Sequence, residues 1–438
     1  MTSPSTLPYQ PALDTLLQQV QDAAQHAQQH SSSDAPRPAL HIRGGGSKAW
    51  LTPQLGQPAL PQPGVQWLHT DGLRGIVDYA PSELVITAGA GTPLAELESA
   101  LAERGQYLPF EPPHFARANP NGALGATVGG LVASGLAGPA RAAVGSVRDH
   151  VLGLHLLNGR GEHLQFGGQV IKNVAGYDIS RLMVGAMGTL GVITQVSLKV
   201  LARPVAEATL CLPLSQADAL AQLQRWGGQA LPLNASCWVH DTTGADAAHS
   251  SAAASGQDLL FVRLRGARAA VESACQRMLV DALLLPQSPG SAQAHHMEAS
   301  QAAADWALCR EQQLPFFTQA PHDALLWRLS VPAATPALDW PYPTLVEWHG
   351  ALRWVWAPAA AAQQVQQTAW RAGGSATVFI AAAACPVSST ARFGMQSRVA
   401  YGPPAATSAQ ALWQIACRVK DAFDPWGLFN PALFSRKD

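Results

Sequence analysis

The 438-residue chain is short of charge: Asp, Glu, Lys and Arg make up 13% of it, about half of what an ordinary globular domain carries, so much of its surface must be neutral. The formal net charge is −1 and no run of Lys or Arg occurs, which excludes the basic patch that broad nucleic-acid binding needs. No apolar run approaches the roughly 18 residues of a membrane span, and no basic start leads into an apolar stretch. A cytoplasmic chain without a transmembrane segment is expected. Cysteine is sparse and scattered. Cys211, Cys237, Cys275, Cys309, Cys385 and Cys417 include no Cys-x-x-Cys pair, so neither a zinc knuckle nor an iron–sulfur cluster is expected, and the thiols read as reduced core residues. Two nucleotide fingerprints are missing as well: Ser47 precedes Lys48 where a P-loop needs Gly-Lys-Ser/Thr, and G-x-G-x-x-G is matched neither at Gly44 nor at Gly89-Ala90-Gly91.

What is present is glycine among small apolar residues, densest over residues 122–191. Glycine removes the Cβ that would block close approach of the backbone to a large partner. The accompanying groups suit recognition of phosphate and heterocycle: hydroxyls of Thr127 and Ser134, polar atoms of Asn121, Asn173 and Asp178, cations of Arg148, Lys172 and Arg181. A second glycine stretch, Arg43-Gly44-Gly45-Gly46-Ser47-Lys48, follows a short strand at residues 39–42. A strand running into a glycine loop with flanking cations can cradle an anion or be an ordinary turn.

At this length two domains are expected, because one core seldom grows beyond about 250–300 residues. Leu13, Leu16, Leu17, Val20 and Ala24 recur at helical spacing up to His30, and residues 31–38 read as a Ser/Pro connector. Strand-like runs at 65–70 and 84–88 precede a helix with Thr92 as its N-cap, Pro93 at N1 and Gly105 closing it. Glu111-Pro112-Pro113-His114 reads as a rigid extended entry to the glycine-rich core. Asn158-Gly159-Arg160-Gly161 marks a hairpin, and Val192, Thr194, Val196, Leu198 and Val200 share one face of a strand whose other face carries Gln195, Ser197 and Lys199.

Beyond Arg203-Pro204, a helix face (Val271, Ala274, Cys275, Met278) and strand candidates at 259–264, 325–331, 345–348, 352–356 and 377–380 predict an antiparallel sheet with helices on one face. Residues 244–257 and 288–296 read as loops, His295 and His296 among them. Glu347 and His349, alternating with Trp348, could share one face of a strand. Leu412, Ile415, Ala416, Val419 and Phe423 define a last amphipathic helix, and the apolar Leu428, Phe429, Leu433 and Phe434 beyond it must pack back on the protein.

Taken in order, the 43–48 loop, Glu111-Pro112-Pro113-His114, Ala126-Thr127-Val128-Gly129-Gly130, Gly138-Pro139, Gly145-Ser146-Val147-Arg148-Asp149, the segment KNVAGYD at 172–178, residues 188–194 and the tail FDPWGLFNP resemble flavoproteins of the vanillyl-alcohol-oxidase type. Within that superfamily the chain is most similar to the family of FAD-binding E subunits of bacterial glycolate oxidase. The resemblance spans nearly the whole chain and is densest over residues 39–204.

The resemblance implies an α+β protein: a two-subdomain PCMH-type FAD-binding domain over residues 1–204, then an α+β cap domain with an antiparallel sheet over 205–438, ending in a tail that docks on the FAD domain. It implies that Arg43, Gly44, Gly45, Gly46, Ser47 and Lys48 wrap the FAD pyrophosphate. Thr127, Gly129, Gly130, Ser134 and Gly135 would line the pyrophosphate and ribityl chain, and Gly188, Gly191 and Val192 would meet another part of the cofactor. Arg148 and Asp149 would brace the loops. Many relatives fix flavin through a histidine at the glycine loop; Ser47 and Lys48 stand there, so FAD is expected to be non-covalent, and His41 on the preceding strand is a poor anchor. The implied function is that of an FAD-binding subunit working with a catalytic flavoprotein subunit and an iron–sulfur subunit on glycolate, with peripheral membrane association left to the partners. A self-sufficient dehydrogenase of a small 2-hydroxy acid such as D-lactate, and a scaffold without flavin, are the alternatives. No catalytic residue and no metal ligand is assigned.

Overall fold

The computed structural model describes residues 7–30, 38–51, 64–115, 125–168, 177–243, 256–284, 293–380 and 407–434. The 31–37 connector, Asn121, Lys172, Asn173, Cys385 and most of the loops read at 244–257 and 288–296 lie outside the described residues.

Helix α1 (Gln10–Gln29) buries Leu13, Leu16, Val20 and Ala24 on one face, the face that the 3.6-residue period predicts. Strands β1 (Ala39–Arg43) and β2 (Val65–His69) pair in parallel. Next come β3 (Ile76–Ala80), which the sequence reading missed, and β4 (Val85–Gly89). Helix α2 (Leu94–Ala102) buries Leu94, Leu97 and Leu101. Its cap corrects the expectation: Pro93 is the N-cap, and the Thr92 hydroxyl instead clamps the preceding loop, accepting from Gly75 N at 3.0 Å and donating to Gly75 O at 3.1 Å. Short β5 (Gln106–Tyr107) precedes the glycine-rich segment, where α3 (Val128–Ser134), α4 (Arg141–Val144) and α5 (Val147–His150) each last about one or two turns. Asp149 braces the start of α5 by accepting from the Ser146 N–H and hydroxyl.

Strands β6 (Val151–Leu157) and β7 (His163–Gly167) form the expected hairpin; α6 (Ile179–Leu182), β8 (Val192–Lys199) and β9 (Leu201–Ala202) follow. The order β3-β4-β8-β6-β7 makes a five-stranded antiparallel sheet with β8 at its centre. Both faces of β8 are covered, so only Lys199 at its end is half-buried, and Thr194, Gln195 and Ser197 are internal. Each therefore has a partner, as buried polar groups require: Ser197 bonds Thr87 at 2.8 Å, Gln195 accepts from the Tyr9 hydroxyl of the segment leading into α1 at 2.7 Å, and Thr194 bonds His163 at 2.8 Å.

The second sheet is built from β10 (Ala206–Pro213), β11 (Leu233–Asp241), β12 (Gln257–Gly266), β13 (His295–His296), β14 (Ala324–Ser330), β15 (Thr344–Glu347), β16 (Leu352–Pro358) and β17 (Ser375–Ile380), in the order β13-β10-β12-β11-β15-β16-β14-β17. All its pairs are antiparallel. Helices α7 (Gln216–Gly227) and α8 (Arg268–Leu283) cover one region, packing Trp226 and Met278 against Leu260 and Val262. Helix α9 (Ala299–Arg310), the single turn α10 (Pro315–Thr318) and α11 (Ala362–Arg371) cover others. A further cluster joins the halves: Trp354 and Trp356 of β16 and Trp348 of the turn before it pack with Leu51, Phe115 and Leu136 of the first half.

An ion-pair clamp crosses the same junction. Glu111 accepts from Arg263 and Arg265 on β12 at 2.6 Å each, while Arg263 Nε donates to Asn234 and Arg265 Nε to Glu207. Glu111 sits in the left-handed region at φ 47°, so its motif is a tight corner rather than the extended entry expected. Burial alone would raise the Glu111 pKa; the two guanidiniums outweigh it and hold the carboxyl below its usual 4.5. A lowered carboxyl pKa stabilises the fold above the unfolded value and loses that contribution as pH falls through the native one. Glu111→Gln is therefore expected to cost about 3–5 kcal/mol at pH 7, by stranding buried charge, and to flatten the acid limb of a urea-denaturation series below about pH 4.5. Equal midpoints for variant and parent at pH 7 would remove the clamp from the account.

Candidate functional site

Strand β1 delivers the chain into residues 43–48. Its depth is set by Leu40, fully buried, and its end by the Thr70 N–H donating to Arg43 O at 2.9 Å. Beyond it Gly46 turns at φ +77°, with the Arg43 guanidinium where a Cβ would lie. The loop closes through Ala49 N to Gly46 O and Trp50 Nε1 to Ser47 O. Facing it is the start of α3, where Thr127 caps by accepting from Gly130 N at 3.3 Å. These walls touch: a Cβ on Gly44 would stand 2.7 Å from Thr127 Oγ1, and one on Gly45 1.8 Å from Gly125 O.

The cleft between them is lined by Arg43, Gly44, Gly45, Gly46, Ser47, Lys48, Thr127, Gly130 and Ser134 from the sequence reading, together with residues it missed, chief among them Ile42, Trp67, Met187 and Asn430. Its volume of about 120 Å³ is below that of a pocket enclosing a whole small molecule, so it suits one segment of a long ligand. Glycine backbone, hydroxyls and two cations form a donor set that fits the pyrophosphate of a dinucleotide.

Gly129, Gly135, Gly188, Gly191 and Val192 are not among the residues lining this cleft. Gly129 packs on Ala90, 2.8 Å from where its Cβ would be, and Gly135 turns α3 against Gly185 at φ +62°. Gly188 touches the cleft's rim, its Cβ position meeting Asn430 and Ile42. Gly191 faces Leu156 and Leu157, and Val192 is fully buried within β8. These glycines serve protein packing in this structure. His41 is buried, with its ring edge-on to Trp67 at 5.1 Å, and does not line the cleft.

Asn430 belongs to the tail, where α12 (Thr407–Phe423) ends and the chain returns to β1. Leu40 N donates to Leu428 O, Asn430 N to Leu40 O, and the Asn430 side chain accepts from Ile42 N and donates to Met187 O. Behind it, Lys420 donates to Thr189 O, Phe429 O and Asp424, all buried. This pair turns α12 so that Leu412 and Ile415, expected inside, are both 56% exposed, while Trp413 stacks on Phe434. Its signal was present as Lys420 and Asp424 one turn apart on an apolar helix end.

Lys48 points from the glycine loop toward the second half. Its Nζ lies 5.9 Å from the Phe115 ring centroid and has no hydrogen-bond partner among the described residues. Burial lowers its pKa to about 8, partly offset by Glu311, whose oxygens already accept from His114 N, Phe115 N and Arg310. From Phe115 a run of edge-on ring contacts at 4.7–5.3 Å between centroids leads through Trp50 and Phe379 to Trp354. A desolvated cation beside an aromatic ring is a place for an anion.

The histidines and the acid considered for chemistry are placed differently from expectation. His295 and His296 form the exposed edge strand β13. Trp348 and His349 both adopt left-handed φ, so Glu347 and His349 do not share a face. Glu347 is buried, accepting from Trp354 Nε1 and Cys309 Sγ, and burial raises its pKa. His349 bonds Ser236, and burial lowers its pKa to about 4. Cys211, Cys237, Cys275 and Cys309 are free and buried, whereas Cys417 is half-exposed. No helix among the described residues is long and apolar enough to cross a membrane.

Residues 17–167 match the family model "FAD binding domain". Over 392 residues, covering 90% of this chain and 91% of its own length, the glycolate oxidase subunit GlcE of Escherichia coli is 39% identical. The glycolate oxidase subunit GlcD of Bacillus subtilis is 31% identical over 34% of this chain and 30% of its own. A solved alkyldihydroxyacetonephosphate synthase superposes with a TM-score of 0.59 at 14% identity, covering 95% of this chain and 75% of that one, and so shares the fold.

Proposed function

The chain belongs to the family of the glycolate oxidase subunit GlcE, an FAD-dependent oxidoreductase family, and from that membership we propose that it is the FAD-binding subunit of a complex oxidising glycolate to glyoxylate. Residues 1–204 act as the FAD-binding domain and 205–438 as its cap and docking tail. The observation that carries the reading is the glycine-lined cleft ending at the Lys48 ammonium, which has no hydrogen-bond partner among the described residues. Bound FAD would supply a two-electron redox centre, reduced by way of the catalytic flavoprotein subunit of the complex. The chain's own residues hold and orient: the 43–48 loop and Thr127 face the phosphate oxygens, Asn430 fixes the loop's start, and Phe115 packs beside the Lys48 ammonium. The cysteines, scattered singly along the sequence, leave onward electron transfer to an iron–sulfur partner chain.

Anaerobic spectra test this. The FAD-loaded chain is expected to keep its oxidised flavin band with glycolate or D-lactate alone and to lose it once the partner subunits are added. Bleaching by either acid without partners would make the chain a self-sufficient dehydrogenase, and failure to take up FAD would overturn the reading altogether.

Lys48 adds a pH signature. Its free pKa of about 8 rises when an anion binds beside it, so FAD binding takes up a proton above pH 8. Affinity is expected to fall as pH climbs from about 8 toward 10, by at most tenfold per unit, and Lys48→Met to remove that slope. Identical slopes in variant and parent would detach Lys48 from the cofactor.

A further inference from the structure

A cavity of about 920 Å³ opens in the second half of the chain, against β10, β11, β12, β15 and β16 and beside α9, and shares no lining residue with the glycine cleft. Its volume is that of a small-molecule site. The walls are aromatic: Phe261, Trp306, Phe316, Trp340 and Trp356. Their indole N–H groups are already committed, Trp306 to Thr209 Oγ1, Trp340 to Thr344 Oγ1 and Trp356 to Phe316 O. What they offer a ligand is therefore ring surface.

Asp241, Asp258 and Asp305 line the cavity, with His240 beside Asp258, and among the described residues no Arg or Lys lines it. Asp258 pairs with His240 at 2.7 Å; Asp241 accepts from Thr243 and Asp305 from Gln301, both neutral donors. Burial raises the Asp305 pKa, the Gln301 hydrogen bond opposes the rise, and the nearby Asp241 charge adds to it. A 2-hydroxy carboxylate is repelled here and far too small for the space. A positive group gains from the carboxylates and from the ring faces together.

We infer that this cavity is a second binding site of the chain, taking a small organic cation with an aromatic or alkyl body. The inference is independent of the flavin assignment, because the two sites share no residue.

Calorimetric titration of the FAD-loaded full chain tests it with three probes of one ring system: 1-naphthylmethylammonium, 1-naphthalenemethanol and 1-naphthylacetate. The ammonium is expected to bind about tenfold more tightly than the alcohol, and the acetate more weakly than either. In the double variant Asp241→Asn, Asp305→Asn the ammonium should fall to within about threefold of the alcohol, whose affinity should not change. Preference for the acetate, absence of saturable ammonium binding, an unchanged ammonium advantage in the variant, or competition between the ammonium and glycolate would each overturn the inference.

Discussion

Gly45→Val is expected to yield a folded chain that retains no FAD. In the parent a Cβ on Gly45 would lie 1.8 Å from Gly125 O and 3.2 Å from Thr127 Cγ2. The first neighbour is backbone and cannot rotate away, so the glycine loop must move off the start of α3. The cleft that the loop and Thr127 line together then loses its shape. The readout is flavin absorbance per chain after purification in excess FAD, with circular dichroism to confirm folding. Gly227→Ala is the matched control: it closes α7, and nothing lies within 4 Å of its Cβ position. Full flavin occupancy in Gly45→Val would show that the cleft is not the cofactor's cradle.

Asp424→Ala should lose both stability and flavin. The carboxylate is fully buried and accepts from Lys420, Leu428 N and Phe429 N. Removing it strands the Lys420 ammonium with two carbonyls and leaves two N–H groups without their acceptor. Breaking a buried ion pair from one side costs about 3–5 kcal/mol, a large fraction of the stability of a typical domain. The damage spreads to the cleft because the same tail carries Asn430, which holds Ile42 and Met187. Thermal melts with and without FAD separate the two effects: the variant's midpoint should drop, and the upward shift that FAD gives the parent should shrink. A parent-like FAD shift on a destabilised variant would confine the tail to a purely structural role.

The sequence by itself determined the local elements and the kind of chemistry. The period of α1, the hairpin at 158–161, the strand leading into Arg43 and most strands of the second sheet follow from spacing and turn residues, which act over a few positions and are visible within them. The glycine loops and their cations likewise pointed to phosphate recognition, which is also what the family motifs imply.

Tertiary structure decided what depends on residues far apart in the chain. Only packing could set Gly129 against Ala90 and Gly191 against Leu157 while leaving Gly45 at the cleft, because a glycine's neighbour is not written in its own segment. The α12 face was misread for a related reason. Apolar periodicity placed Leu412 and Ile415 inward, but the buried Lys420–Asp424 pair and the carbonyls of Thr189 and Phe429 set the helix rotation. A buried ammonium must keep its partners, whereas exposed leucine and isoleucine forgo only their burial. The joining of β1, residues 187–189 and the tail into one cradle spans nearly the full chain, and that closure is the physical reason why the site exists only in the folded protein.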